Sequence, residues 1–175
     1  MRTQKLVLTG EINEKMLGNF IPMFKQYDSK KCNIQMFISS GGGEVDAGAG
    51  MYEIMRTSHN IITTVGVGLV GSMAVLLFEA GDIRVATEGT TFLLHDGSVT
   101  ARGTLMAVKS HLEETLRNHN WYAEQIAHRC RVPLKKILDL TSKESYLTAQ
   151  EALKLKLIDT IIPYREYARL RKTKE

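Results

Sequence analysis

The stretch Ile61-Ile62-Thr63-Thr64-Val65-Gly66-Val67-Gly68-Leu69-Val70-Gly71-Ser72-Met73-Ala74-Val75-Leu76-Leu77-Phe78-Glu79-Ala80 decides the fold. Its first residues, Ile61 to Val65, are β-branched and apolar over a short run and read as a strand. Its last, Ser72 to Ala80, are apolar on almost every face of a helix, so that helix belongs in the interior. The glycines between them let the backbone turn sharply, since glycine tolerates φ > 0 and close approach of other groups. The free N–H groups of the helix start then face a cleft.

The same grammar recurs on either side. Asn33 to Ile38 reads as a strand that runs through Ser39-Ser40-Gly41-Gly42-Gly43 into a helix at Asp46 to Arg56. Lys5 to Leu8, Ile83 to Val85 and Phe92 to Leu94 are further short strands. Met16, Leu17, Phe20, Met23, Phe24 and Tyr27 form one helical stripe, in which Pro22 predicts a kink or an early stop. Strands separated by helices imply parallel pairing in a layered α/β domain. After His95 the apolar spacing of Leu105, Val108, Leu112, Leu116, Tyr122 and Ile126 predicts a long helix from about Thr104 to Arg129. Such a helix projects, and Trp121 and Tyr122 on its stripe call for a partner, which favours self-association. Thr148-Ala149-Gln150-Glu151 is a capping box, and Leu157 to Ile162 closes the fold.

Composition supports one folded unit. The 175 residues are 43% hydrophobic and 24% charged, and the 14 glycines fall in clusters, which excludes disordered and collagen-like classes. Met73 to Phe78 is far short of the roughly 20 residues of a membrane span, and no signal peptide follows Met1, so a cytoplasmic protein without membrane contact is expected. Cys32 and Cys130 lack metal-ligand spacing and are expected to be buried thiols. The pI near 9.1 comes largely from the end of the chain. From Tyr164 onward five Lys/Arg face two Asp/Glu, whereas the preceding residues carry 18 against 17. A nucleic-acid groove is therefore not expected, and the chain divides into a domain over 1–163 and a solvated basic tail over 164–175.

Two residues carry candidate chemistry. Gly66 to Gly71 matches G-x-G-x-x-G, but it follows at least three strands and lacks the acidic residue that ends a second strand, so no nucleotide or other cofactor is expected there. Ser72 follows the glycines at the first turn of a buried helix. On local sequence it is either a helix cap or a nucleophile presented by a tight turn. His95 ends an apolar strand, where a structural imidazole or a general base can stand. His59, His111, His119 and His128 read as surface residues.

Several segments together resemble one known family. These are Leu8-Thr9-Gly10-Glu11-Ile12, the Ser-Gly-Gly-Gly loop, Ala47-Gly48 with Met51-Tyr52, Gly71-Ser72-Met73-Ala74, Phe92-Leu93-Leu94-His95, and Tyr146-Leu147-Thr148-Ala149-Gln150-Glu151-Ala152 with Leu157-Ile158-Asp159. In order and over nearly the whole chain they are similar to the proteolytic subunit of the Clp protease, the ClpP family. The resemblance implies a crotonase-like α/β fold with layered parallel sheets and a projecting handle helix. It also implies a serine peptidase without cofactor or metal, cleaving peptides and unfolded polypeptides inside heptameric rings stacked as a tetradecamer. Carried over by position, Ser72 is the nucleophile, His95 the general base, and the backbone N–H groups of Gly43 and Met73 the oxyanion hole. The family's acid is an aspartate; here Glu144 stands at that place in Lys143-Glu144-Ser145-Tyr146, with Asp139 its rival. Ser39-Ser40-Gly41-Gly42-Gly43 and His95-Asp96-Gly97 also depart from the family pattern. The chain starts at the first family strand, so a Clp-type ATPase is not expected to drive it strongly, and a specialised, phage-type relative in a host cytoplasm fits these departures. The competing functions are an inactive ring subunit, a crotonase-type acyl-CoA enzyme, and a Ser-Lys peptidase using Lys109.

Overall fold

The computed structural model describes residues 3–166; of the expected tail only 164–166 are described, as one exposed helical turn. The elements in chain order are β1 (Thr3–Thr9), α1 (Glu14–Asp28), β2 (Asn33–Ser40), α2 (Val45–Arg56), β3 (Ile62–Gly71), α3 (Met73–Glu79) and β4 (Ile83–Thr87). There follow β5 (Thr91–Leu94), α4 (Leu105–Cys130), α5 (Leu134–Thr141), β6 (Ser145–Thr148), α6 (Ala149–Leu155) and β7 (Thr160–Ile162). The strand order is β1-β2-β3-β4-β7, with every pairing along it parallel, as expected of strands separated by helices. β5 extends the far end of β3 in parallel, and β6 returns antiparallel to β5.

The second glycine cluster is not a strand-to-helix loop, as the sequence led us to expect. β3 runs through it. Thr63 to Gly66 pair with β4, and beyond Gly68, at φ +67°, Leu69 to Gly71 pair with β5 instead. The glycines bend a strand that changes partners. Pairing and a 2.8 Å hydrogen bond from the Thr90 hydroxyl to the Gly66 carbonyl keep the bent backbone satisfied. Only Ser72, a single residue, makes the sharp turn into α3.

α1 starts at Asn13, whose side chain accepts from the Met16 N–H at 3.0 Å. It neither stops nor restarts at Pro22. Pro22 and Gly18, one turn earlier, both lie on the exposed side, so the carbonyl that loses its donor faces water. The stacked rings of Phe20 and Phe24, 5.1 Å apart and buried, hold the other face.

α3 is buried at every residue, as its all-round apolarity requires. Its one charged residue, Glu79, ends it without solvent contact. The Arg84 guanidinium lies 2.7 Å from Glu79 and 2.7 Å from Asp159, which ties α3 and β4 to the turn before β7. Burial pushes the Glu79 carboxyl up to about 8 against the pull of Arg84. Its Oε1 has no hydrogen-bond partner among the described residues. Cys32 and Cys130 are both buried and free.

α4 begins with the Thr104 hydroxyl accepting from the Ala107 N–H at 3.3 Å. Its first half stands clear of its own chain, with Leu105 85% and Leu116 63% exposed. Trp121 and Tyr122, expected on that unpartnered stripe, belong instead to the covered half. Trp121 meets Tyr52 of α2 edge-on at 5.8 Å, and Tyr122 is buried. No helix among the described residues is long and apolar enough to cross a membrane.

Candidate active site

Ser72 occupies the helix-cap position of α3 but does not cap. Its side chain makes no cap hydrogen bond, and its backbone sits at φ 53°, ψ −127°, a region that residues with a side chain rarely enter. Holding a serine there costs about 1–3 kcal/mol, which the surrounding fold must supply. Its N–H donates to the Leu93 carbonyl of β5 at 2.8 Å, and its carbonyl accepts from the Val75 N–H at 2.8 Å and from the Tyr122 hydroxyl at 3.2 Å. The reading of Ser72 as a simple cap is thereby overturned.

The Gly41–Gly43 loop lies directly on this turn. A methyl built on Gly42 would stand 2.6 Å from Ser72 Cβ, 2.8 Å from the Gly71 carbonyl oxygen and 3.1 Å from the Met73 nitrogen. Only glycine permits that approach, and Gly42 also takes φ +105°. The Gly42–Gly43 peptide and the first amide of α3 are therefore neighbours. Neither Gly43 N–H nor Met73 N–H donates to a partner among the described residues, while the flanking groups are engaged: Ile12 N–H to Gly42 carbonyl at 2.9 Å, Glu44 N–H to Ile12 carbonyl at 2.8 Å.

His95 reaches the same edge through β5. Gly71 is level with Leu93 in the β3–β5 ladder, so His95 lies two residues past the carbonyl that holds Ser72. Burial alternates along the strand, with Phe92 and Leu94 inward and Leu93 and His95 on the half-open face. Among the described residues no hydrogen bond joins His95 to Ser72. His95 Nδ1 instead accepts from the Gly97 N–H at 3.1 Å.

Glu144 comes to this edge by a route the sequence does not show. β6 runs back along β5 with Leu94 opposite Ser145, so the turn that precedes β6, with Glu144 as its last residue, lies at the end of β5 that His95 follows. Glu144 stands just outside that ladder at φ 50°, exposed, and its carboxylate makes no hydrogen bond or ion pair among the described residues. Asp139 is exposed on α5 and likewise unpaired within the described residues. Asp96 points to α4, where its carboxylate lies 3.5 Å from His119 Nε2, so His119 is half-buried and not the free surface residue expected. Lys109 lies on the exposed half of α4 and pairs with Glu113 at 3.9 Å, which gives a Ser-Lys arrangement no support. No cluster of His, Cys, Asp or Glu among the described residues could hold a metal ion. The bond from Tyr122 to the Ser72 carbonyl escaped the sequence reading, because the spacing of Tyr122 marks only a helix face.

A model of the Clp protease family matches residues 1–165 of the chain. The ATP-dependent Clp protease proteolytic subunit 2 of Treponema pallidum (strain Nichols) is 28% identical over 169 residues, 94% of this chain and 85% of that protein. Among solved structures, a mutant ClpP1 from Listeria monocytogenes superposes with a TM-score of 0.84 over 92% of each chain at 21% identity, which shows the ClpP fold. A family match across nearly the full length, on an α/β frame with the expected parallel sheet, is decisive: the chain belongs to the Clp protease family.

Proposed function

We propose that this protein is a serine endopeptidase that hydrolyses peptides and unfolded polypeptides inside a chamber built from rings of its own copies. The observation that carries the reading is Ser72: a serine held at φ 53° with its hydroxyl excluded from capping, between a glycine loop and a strand carbonyl. Strain of this kind persists where reactivity needs it.

The chemistry follows the positions. Ser72 Oγ attacks the scissile carbonyl and His95 takes its proton. The oxyanion forms against the Gly43 and Met73 N–H groups, which have no competing acceptor among the described residues. His95 then returns the proton to the leaving amine, and water hydrolyses the acyl-enzyme by the same steps in reverse order. Glu144 orients the imidazole from the turn that precedes β6. As it stands, His95 Nδ1 accepts a hydrogen bond, which places the proton of a neutral ring on Nε2. The working base needs the other tautomer, with Nδ1–H donating to a carboxylate. Catalysis therefore requires the Gly97 N–H to leave Nδ1 and the Glu144 carboxylate to take its place.

The ring rests on α4. Leu105, Met106, Leu112 and Leu116 leave an apolar stripe on its projecting half, and a second copy, presenting the same stripe, covers it most simply. Stacked heptamers are the assembly carried over from the family.

The His95–Gly97 bond also favours a second reading, a ring subunit without turnover. Fluorophosphonate labelling followed by mass spectrometry decides between them. Acylation at Ser72, with peptide hydrolysis in the absence of nucleotide and both abolished in Ser72→Ala, supports the peptidase; an unlabelled Ser72 in the assembled protein supports the inactive subunit.

A further inference from the structure

We infer that Tyr122 is a positioning residue for Ser72, linking the strained nucleophile turn to α4; the inference rests on the serine-peptidase reading above. Ser72 is pinned at both of its peptide groups. β5 supplies the Leu93 carbonyl to its N–H at 2.8 Å, and α3 supplies the Val75 N–H to its carbonyl at 2.8 Å. The third contact comes from outside the turn: the Tyr122 hydroxyl donates to the same carbonyl at 3.2 Å.

Tyr122 is suited to hold this group. It is 6% exposed, at the first buried turn of α4, and together with Ala123, Ile126, Ala127 and Cys130 it forms the part of the helix that packs on the chain. Burial holds its phenol well above the usual tyrosine range, with the Glu79 carboxylate acting in the same direction, so the hydroxyl keeps its proton and remains a donor. A buried hydroxyl without an acceptor would cost about 1–3 kcal/mol, so the ring and the Ser72 carbonyl are mutually fixed.

The consequence concerns α4. Its projecting half carries the exposed apolar stripe, and its buried half carries the bond to Ser72, within one unbroken helix of 26 residues. Whatever orients the first half also sets the angle at which the phenol meets the Ser72 carbonyl. Removing that bond frees one side of a conformation that the serine does not favour, and small displacements of a reacting atom are costly in rate. Ser72 Oγ then spends less time aimed between His95 and the Gly43 and Met73 amides.

The test is Tyr122→Phe, which keeps the ring and its packing and deletes only the hydroxyl. Fluorophosphonate acylation of Ser72 is measured as a function of probe concentration, with peptide kcat and KM, on protein whose assembly is checked by light scattering. The expected result is an about tenfold lower maximal acylation rate and kcat, with probe affinity and KM unchanged. A purely structural role would lower Tm and leave both rates, per assembled subunit, at the wild-type value. Hydrogen exchange at the Val75 amide, which shares the carbonyl, gives a readout independent of turnover and should quicken in Tyr122→Phe. Wild-type acylation rates in assembled Tyr122→Phe, or unchanged Val75 exchange, overturn the inference and leave the peptidase reading standing. Failure of the wild-type protein to acylate at Ser72 overturns both.

Discussion

Gly42→Ala should damage the protein by an amount that can be worked from the contacts around it. The added methyl would lie 2.6 Å from Ser72 Cβ and 2.8 Å from the Gly71 carbonyl oxygen, and the residue would keep φ +105°. The loop cannot move aside cheaply. Gly42 N–H donates to Ser40 Oγ at 3.1 Å, its carbonyl accepts from Ile12 at 2.9 Å, and Ser40 Oγ itself donates to the Gly10 carbonyl at 2.5 Å. Backbone strain costs about 1–3 kcal/mol. Overpacking against backbone adds about 1–3 kcal/mol. The less flexible unfolded chain returns about 0.4–1 kcal/mol. The net loss is about 2–5 kcal/mol, or about 5–15 °C in Tm for a domain of this size. Gly18→Ala is the internal control: Gly18 is exposed in α1, has no atom within 4 Å of a built methyl, and should gain about 0.5–1 kcal/mol. Both variants are melted beside wild type at one protein concentration, because assembly makes Tm concentration-dependent. Ser72 acylation should fall with Gly42→Ala and stay unchanged with Gly18→Ala. Equal shifts for the two, or a wild-type melt for Gly42→Ala, would refute the packing of the glycine loop on the Ser72 turn.

Three further outcomes are expected. Glu144→Gln should lower peptide turnover by orders of magnitude with assembly intact, whereas Asp139→Asn should remain near wild type; the reverse pattern moves the acid to Asp139, and two active variants leave Ser72 and His95 as a dyad. Because burial raises Glu79 in the folded state, the folded protein binds that proton more tightly than the unfolded chain, so its contribution to stability is full at low pH and is lost as pH rises from about 4.5 to about 8. Urea midpoints for wild type and Glu79→Gln should therefore diverge in favour of the variant across that window, and parallel curves would contradict the raised carboxyl. Placing glutamate at both Leu105 and Leu116, which are 85% and 63% exposed, should leave the monomer fold intact by circular dichroism and reduce the scattering mass toward 19.6 kDa; undiminished assembly would remove α4 from the interface.

Local pattern was enough wherever the deciding interaction spans a few residues. The capping box at Thr148 and Glu151 is present as written, with both reciprocal bonds. The all-apolar run after Ser72 forms a helix buried on every face, and the spacing from Leu105 onward marks α4 to within one residue of the bounds expected. The positions of Ser72 and His95, each next to an element boundary, were legible for the same reason.

Tertiary structure decided what depends on partners distant in the chain. Helix α1 passes through Pro22 because burial of Phe20 and Phe24 outweighs one lost hydrogen bond whose carbonyl can face water. The run Gly66 to Gly71 remains a strand because β4 and then β5, both later in the chain, supply its ladder. Neither α5 nor β6 stood out as a periodic run, yet the antiparallel return of β6, with Ser145 opposite Leu94, is what brings the turn holding Glu144 to the end of β5 that His95 follows. Trp121 and Tyr122 look like part of an open stripe until α2 and α3 cover them, and no local spacing links Tyr122 to a carbonyl 50 residues earlier. A hydrogen bond or a strand pair between distant segments forms only once the whole core has brought them together, whereas a cap or a buried face is written within a turn or two of chain.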